Sequence, residues 1–351
     1  MSIKKYLASK DATITNAFKA NLSTRGTGSN MGLSDISEVF SIYGQASSAS
    51  LEKSRMLTQW STTAIQADRT AKTIPASGSV EFWLRLYNAK HAFTTPREMT
   101  LAVHAVSRSW DEGRGLDMEE YTDIGTANWI AARSSSAGET AWTTEGGDFH
   151  MGAYSAGSNL PFYSQTFANG TEDLEINITA LVEEWLNGPD GEGDNARANY
   201  GVGIFVTSSQ EDGTEKRSYY TKKFFARGTE FFYKRPAIEA RWDSSIKDDS
   251  TNFYLSSSLV PAADNLNTLY FYNNVRGQLK NIPDLEGGDK ILLSVYSSLS
   301  DNIAAISLPV GGGVASNNDL NVTGGLTTTT GIYSASLAYT GSSTTIYPVW
   351  H

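Results

Sequence analysis

The chain has 351 residues, no cysteine, 19% charged residues and a formal net charge of −10 at pH 7. At about 150 residues per domain, this length predicts two domains. The missing cysteines exclude disulfides, thiolate metal sites and a cysteine nucleophile, and the acidic balance argues against a dedicated nucleic-acid binder. The sequence contains no run of about 18 apolar residues, so no membrane span is predicted. The segment Met1–Lys10 is too short and too polar for the apolar region of a signal peptide.

The amino-terminal 50 residues contain two β-prone pieces, Ala12–Thr15 and Val39–Tyr43, which we expect to pair into the first domain. A basic tip on an acidic chain suits contact with an acidic neighbouring subunit, so we expect the extreme terminus to be free to dock. The alternative is that these basic side chains only solvate the surface. They are Lys4, Lys5, Lys10, Lys19 and Arg25.

Strand patterns dominate the rest of the chain. Apolar residues alternate with their neighbours in five segments, which places each apolar set on one face of a pleated strand. These segments are 79–87, 100–105, 202–206, 291–296 and 333–339, and 219–225 is a further aromatic, β-prone run. Glycine-rich turns separate the later segments, a pattern typical of antiparallel sandwiches rather than βαβ units.

One helix is predicted, over residues 179–188, because apolar side chains recur there at a spacing of four. We expect Thr179 to cap its amino end and Gly188 to end it, with Pro189 preventing continuation. The adjacent Glu183 and Glu184 are expected on its solvated face. At about two turns, this helix suits the open end of a sandwich and is too short to carry a site.

A composition shift divides the chain after residue 242. Residues 243–351 hold only 13 charged residues, against 53 in residues 1–242, and are rich in serine and threonine. We therefore predict two domains, 1–242 and 243–351, joined by the polar stretch 243–250. The expected fold is all-β with two antiparallel β-sandwiches. The first is jelly-roll-like with one short helix, and the second is Ig-like.

Histidines are the first candidates for acid–base or metal chemistry, and the sequence has four. None has the spacing of a metal-binding pair. We interpret His104, on the polar face of its strand, as an ordinary surface or interface residue. His150 shares a strand face with Asp148, but no Gly-x-Ser-x-Gly elbow supplies a nucleophile for a triad.

Adjacent carboxylates are the second candidates, because glycosidases use two carboxylates held about 5–10 Å apart. Neighbouring residues on a chain do not normally face one another, so we expect structural roles. For Asp111 and Glu112, we expect Asp111 to tie a turn while the preceding Trp110 packs into the core. The pairs are Asp111 with Glu112, Glu119 with Glu120, and Glu183 with Glu184.

Two loops are candidates for ion or phosphate binding. Asp190–Asn195 offers oxygen ligands at alternate positions, as Ca²⁺ prefers, but it fails the EF-hand pattern, so a solvated turn is the competing interpretation. Val310–Ser316 is glycine-rich but lacks the Gly-Lys-Ser/Thr ending of a phosphate loop and is expected to be a flexible hairpin loop. We assign no catalytic, cofactor-binding or metal residue.

The long region 113–170 lacks clean alternation and is expected to form loops available for contact. Exposed aromatic side chains in such loops either pack at a protein interface or stack on sugar rings. We favour the interface and keep the carbohydrate surface open. The aromatic residues are Trp129, Trp142, Tyr154 and Tyr163.

A series of motifs resembles the DNRLRE domain family, a jelly-roll-like β-sandwich of bacterial surface and repeat proteins. The series is Arg55–Trp60, Phe82–Tyr87, Leu101–Glu112, Ile176–Gly188, Asn199–Ile204, Lys223–Arg227 and Arg235–Trp242, and the resemblance covers residues 11–242. It implies a structural or adhesive module without catalytic activity. The run Gly331–Thr340 looks like the small Ig-like sandwiches of tailed-phage virion proteins.

These observations together predict a non-enzymatic virion structural protein of a tailed phage, assembled in host cytoplasm. A tail, neck or collar position is favoured over capsid decoration. The expected partners are other virion proteins and copies of the chain itself, with no nucleic acid, no membrane and no cofactor. A host-glycan adhesin is the alternative, and a polysaccharide depolymerase is the third. The apolar run ending at His351 is either buried in an assembly or continued by further domains.

Overall fold

The computed structural model describes residues 1–44, 51–91, 97–118, 126–135, 138–150, 162–188, 197–257, 259–260, 265–283, 285, 290–300, 305–306, 308–309, 318–341 and 345–351. It is mostly β-structure, with 41% strand and 9% helix. The all-β prediction is confirmed. The chain contacts divide into two units, Met1–Thr70 with Ala76–Asp243, and Ala71–Pro75 with Ser244–His351.

The first unit holds thirteen strands among the described residues. They are β1 (Ser2–Leu7), β2 (Lys10–Thr15), β3 (Ile36–Tyr43), β4 (Leu51–Gln59), β5 (Glu81–Leu86), β6 (Met99–Ala105), β7 (Ala131–Ser135), β8 (Gly138–Ala141), β9 (Phe162–Phe167), β10 (Leu174–Asn177), β11 (Val202–Val206), β12 (Tyr219–Phe225) and β13 (Ala237–Trp242). Its helices are α1 (Thr62–Thr70), α2 (Thr179–Asn187), the single turn α3 (Ser208–Glu211) and the 3-10 helix η1 (Phe232–Lys234).

Two antiparallel sheets form the body of this unit. The four-stranded sheet has the order β1-β13-β5-β10, and the larger one has the order β12-β3-β4-β11-β6-β9, with β2 paired to β4. The predicted alternation of β5 is confirmed, since Phe82, Leu84 and Leu86 are fully buried. Strand β11 is buried at all five positions, so its sheet is covered on both faces.

The loops between β6 and β9 supply part of that second cover. Phe149 lies so close to Gly203 of β11 that a Cβ there would stand 2.0 Å from the Phe149 ring. A buried cluster in the same region joins side chains of β2 and β4 to the loops around β7 and β8. It contains Ala12, Ile14, Leu57, Val106, Trp110, Ala127, Trp129, Ala132 and Trp142.

The second unit contains the strands β14 (Asn267–Tyr272), β15 (Asn274–Val275), β16 (Gln278–Leu279), β17 (Lys290–Tyr296), β18 (Leu308–Pro309), β19 (Asn318–Asp319), β20 (Val322–Leu326), β21 (Ile332–Leu337) and β22 (Tyr347–Trp350). Five of them form an antiparallel sheet in the order β14-β21-β20-β17-β22. Its buried side chains are Leu269, Leu293, Val295, Ala335, Leu337 and Tyr339. The alternation predicted for 291–296 and 333–339 therefore marks the core face.

The predicted helix is confirmed as α2, with Gly188 at its carboxyl end, but it is not the single helix of the described residues. Helix α1 was missed because Ile65 is its only buried residue, which leaves no apolar repeat to recognise. The expected cap of α2 was also wrong, since the Thr179 hydroxyl accepts the Phe82 N–H of β5 at 2.8 Å instead. Asn177 accepts the Thr179 N–H at 3.0 Å and so performs part of that role.

The amino terminus is not free, contrary to the expectation. Strand β1 pairs with β13 along its whole length. Lys4 forms an ion pair with Asp68 at 2.7 Å, and Lys10 donates to the Trp110 carbonyl at 2.9 Å. Lys4 and Lys10 thus bind other parts of the same fold, and strand pairing holds the backbone that carries them in place. None of the helices in the described segments is long and apolar enough to cross a membrane.

Candidate functional site

The two candidate histidines differ in burial, since His104 lies in the packed interior and His150 is half-buried. His104 is only 5% exposed and stacks on Phe205 with ring centroids 5.2 Å apart, so its interpretation as a surface residue was wrong. Its Nδ1 lies 3.2 Å from the His150 carbonyl oxygen. Burial lowers the pKa of both imidazoles, which favours their neutral forms. Asp148, the expected partner of His150, forms an ion pair with Arg108 at 3.1 Å.

The first carboxylate pair ties loops together, Glu112 through its side chain and Asp111 through its backbone, whose N–H donates to the Ala132 carbonyl and whose carbonyl accepts the Ala127 N–H. Glu112 accepts the Asp11 N–H at 2.8 Å and two hydrogen bonds from Arg227, at 3.0 and 2.6 Å. Trp110 is fully buried, as predicted, and its Nε1 donates to the Tyr200 carbonyl. The Glu119 and Glu120 pair lies outside the described residues.

The third pair, Glu183 and Glu184 on α2, does not form a solvated face. Glu184 is 6% exposed and forms an ion pair with Arg197 at 2.7 Å. Glu183 accepts one hydrogen bond from each terminal guanidinium nitrogen of Arg69, at 2.8 and 2.7 Å, and this ion pair ties α2 to α1. Each carboxylate therefore has an arginine partner within the fold, and the prediction of solvation was wrong because periodicity does not show which neighbours cover a face.

The aromatic residues predicted in the region 113–170 are buried or half-buried at the three positions that the structure describes. Trp129 and Trp142 are 4% and 6% exposed, and the Trp142 indole donates to the Asn128 carbonyl at 2.8 Å. The Tyr163 hydroxyl accepts the Leu181 N–H of α2. Tyr154 lies outside the described residues. The expectation of exposed aromatics was wrong because this region folds onto the large sheet and supplies part of its core.

The candidate calcium loop 190–195 and the glycine-rich loop 310–316 lie outside the described residues. Within the part of the chain that is described, no group of three or more His, Asp or Glu side chains is arranged to hold a metal ion.

Among the residues of the first unit that the structure describes, the most exposed aromatic surface lies between β12 and β13. Phe231, Phe232 and Tyr233 are 50%, 53% and 84% exposed, and we call them the aromatic segment. Cations flank these rings, with Lys234 Nζ 5.3 Å from the Phe231 centroid and the Arg235 guanidinium 5.5 Å from that of Phe232. The turn η1 holds these side chains outward on a short backbone loop.

A cavity of about 450 Å³ opens at the edge of the four-stranded sheet. Trp83 and Trp242 are in its wall, and the Arg241 guanidinium lies 4.8 Å from the Trp83 ring centroid. The Trp83 indole donates to Glu81, whereas the buried Nε1 of Trp242 has no hydrogen-bond partner among the described residues. The lining residues are Met1, Gly78, Ser79, Val80, Glu81, Trp83, Arg241, Trp242 and Asp243.

Lys222 of β12 is the least expected polar residue of the interior. Its side chain is fully buried, although lysine is rarely buried without a specific role. The pairing of β12 with β3 shifts its register between Tyr219 and Lys222, so the strand is irregular there. Phe224 follows Lys222 by two residues on the same strand. Its Nζ lies over the rings of Phe167 and Phe224, at 4.6 and 5.1 Å from their centroids.

The Lys222 amine faces the side-chain amide of Asn88. Its Nζ donates to Asn88 Oδ1 at 2.7 Å and to the carbonyls of Gly170 and Glu172 at 3.0 and 2.6 Å. His91 Nε2 also lies 3.2 Å from Asn88 Oδ1. Burial lowers the pKa of Lys222 to about 8, against the opposing charges of Glu172 and Asp173. We missed this cluster in the sequence, where the only signal is a lysine inside an aromatic strand.

Comparison with known proteins gives no further assignment. The chain matches no protein-family model, and no curated protein is similar to it. The resemblance to the DNRLRE family therefore stays a prediction.

Proposed function

We propose that the chain is a non-enzymatic structural protein of a tailed-phage virion that acts through its subunit interfaces. A tail, neck or collar component is the favoured position, and capsid decoration is the other. The single observation that carries the interface role is the exposure of the aromatic segment, Phe231 to Tyr233. Aromatic and arginine side chains are enriched where proteins bury their surfaces against each other.

The neighbour that fits the aromatic segment best is a second copy of this chain. Lys234 and Arg235 add positive charge beside the rings, while the chain as a whole carries a net charge of −10. A cationic aromatic patch is complementary to an acidic surface, and every copy offers one. Head-to-tail contacts of this kind build rings or helical arrays, as a tail, neck or collar requires.

The carboxylates of the candidate pairs support a role without catalysis. Glu112, Glu183 and Glu184 each bind an arginine of the same chain. An acid–base pair needs one carboxyl group whose proton can be exchanged with a substrate. Carboxylates that hold loops and helices together stabilise the fold instead.

The test is the molar mass of the full chain in solution, measured by light scattering over a range of concentrations. We expect the chain to form oligomers that dissociate in the double variant Phe232→Ser/Tyr233→Ser. Leu22→Ser is the matched control, because Leu22 is 78% exposed in the same unit without lying in the aromatic segment. A monomer at every concentration, or oligomers that persist in the double variant, would contradict the proposal.

Carbohydrate binding is a second candidate function, favoured by the cavity between Trp83 and Trp242. Indole rings stack on the apolar faces of sugars, and Glu81, Arg241 and Asp243 offer polar groups for hydroxyls.

A glycan array probed with the full chain tests this candidate. We expect binding that falls at least about tenfold in Trp83→Ala, because the loss of one stacking side chain costs more than about 1.4 kcal/mol. Trp83→Phe should keep most of the binding, since an aromatic face remains. An array without any bound glycan, or equal binding by Trp83→Ala, contradicts it.

A further inference from the structure

We propose that Lys222 and Asn88 become joined by an intramolecular isopeptide bond, formed without an enzyme between the lysine amine and the asparagine side-chain amide. The two residues are 134 positions apart in sequence, yet Nζ lies 2.7 Å from Oδ1. A carbonyl bond of about 1.23 Å then places the Asn88 Cγ between about 3 and 4 Å from Nζ, close to the distance of a near-attack arrangement. This inference does not depend on the proposed function.

The backbone holds this pair in place from both sides. Asn88 forms an antiparallel bridge with Phe224, and the Ala89 N–H donates to the Lys223 carbonyl at 2.9 Å. The Asn88 N–H in turn donates to Asp173 Oδ1 at 2.8 Å. The amide and the amine therefore belong to two neighbouring backbone segments that are fixed against each other, so little motion is needed for reaction.

The reaction balances without any other reagent. The neutral Lys222 amine attacks Asn88 Cγ, an Nζ–Cγ bond forms, and Oδ1 takes up the negative charge. His91 Nε2, 3.2 Å from Oδ1, is placed to donate a hydrogen bond to that oxygen. One proton moves from Nζ to Nδ2, the Cγ–Nδ2 bond breaks, and ammonia leaves. An amine and a carboxamide give a substituted amide and ammonia, with no oxidant or reductant.

Glu172 contributes a backbone acceptor and a negative charge to the surroundings of Lys222. Its charge acts on the Lys222 ammonium, and its Oε2 is shielded from solvent without a hydrogen-bond partner among the described residues. Its Oε1 is fixed by the N–H groups of Ala168 and Asn169, at 3.0 and 2.8 Å. One oxygen thus anchors the carboxylate, whose negative charge opposes the fall in the pKa of Lys222.

Lys222 Nζ donates three hydrogen bonds as an ammonium, so it must lose one proton before the attack. The side chain lies between Phe167 and Phe224, and burial is what lowers the pKa of Lys222 to about 8. Glu172 and Asp173 oppose this shift, and His91 is the other titratable group beside the amide. We therefore expect bond formation to be faster at pH 8.5 than at pH 6.

The test is the intact mass of the folded full chain after incubation at pH 8.5. We expect it to be about 17 Da below the sequence mass, which corresponds to one ammonia. After trypsin, the peptides Leu86–Lys90 and Ser218–Lys223 should appear as one branched species, because the modified Lys222 is no longer cleaved. The branched peptide distinguishes this bond from ammonia lost elsewhere in the chain.

Three variants complete the design. Lys222→Arg should keep the full mass, whereas Lys223→Arg, the matched control on the next residue, should lose ammonia as the wild type does. In Asn88→Asp the same attack expels water, so the loss becomes about 18 Da. If Lys222→Arg does not fold, the branched peptide and Asn88→Asp still decide. An unmodified mass for the folded wild type, or a loss that persists without the branched peptide, overturns the proposal.

Discussion

Asp11 shows how one residue of the fold responds to pH. It is 1% exposed at the start of β2, its Oδ2 accepts the Arg227 N–H, and its Oδ1 has no hydrogen-bond partner among the described residues. Burial raises the pKa of Asp11 to about 7, and the charge of Glu112 adds to this, while the Arg227 N–H and guanidinium oppose it. The ionised carboxylate is thus less stable in the folded chain than in the unfolded one.

The sign of the stability effect follows from this raised pKa. Between about pH 4 and pH 7 the unfolded chain has lost the Asp11 proton and the folded chain has kept it, so stability falls as the pH rises. Above about pH 7 the penalty is complete, at no more than about 4 kcal/mol for a shift of about three units. Asp11→Asn removes the ionisation and keeps an oxygen for the Arg227 N–H.

Urea unfolding of the wild type and Asp11→Asn at several pH values measures this effect. We expect the difference in unfolding free energy to shift in favour of Asp11→Asn from pH 5 to pH 7, and then to stay constant up to pH 9. The plateau is the internal control, because Asp11 is ionised in both states there. A difference that does not vary with pH contradicts the assignment.

Among the elements, strands with clean alternation could be predicted and those without it could not. In β5 and β17 every second residue is buried, so the core face is visible in the sequence. Strand β1 was missed, although its pairing with β13 makes it part of the smaller sheet. Its two lysines hide the pattern, because their partners, Asp68 and Glu239, lie far away in sequence.

Helix α1 and strand β12 also have features that a sequence pattern does not reveal. Helix α1 is held by Ile65 and by the Arg69–Glu183 ion pair, neither of which leaves a periodic signal. Strand β12 was predicted with its bounds, but the register shift that accompanies the burial of Lys222 cannot be seen in a composition pattern. Tertiary contacts therefore decide what local propensity leaves open.

The candidate site was harder to predict than the fold, and for a similar reason. Trp129 and Trp142 looked available because no alternation assigned them to a core, yet loop folding buries them. The exposed aromatic segment and the cavity beside Trp83 depend on which surfaces stay uncovered, which is a property of the assembled sheets. Sequence patterns describe one element at a time and so miss sites built between elements.

At the scale of the whole molecule, the absence of cysteine means that other interactions must hold distant parts of the chain together. A chain without cysteine forms no disulfide cross-links. Ion pairs between distant elements, such as Arg55 with Glu211 at 2.6 Å, replace part of that cross-linking. The proposed Lys222–Asn88 bond would add a covalent link that does not depend on redox conditions.

The proposed function is tested most directly by analysing purified phage particles whose genome encodes this chain. Quantitative mass spectrometry of the particles, with electron microscopy after antibody labelling, reports copy number and position together. We expect many copies per particle in a fixed ratio to other virion proteins, at one symmetric position on the tail, neck, collar or capsid surface. A chain that is abundant in the infected cell and absent from the purified particles would contradict the account.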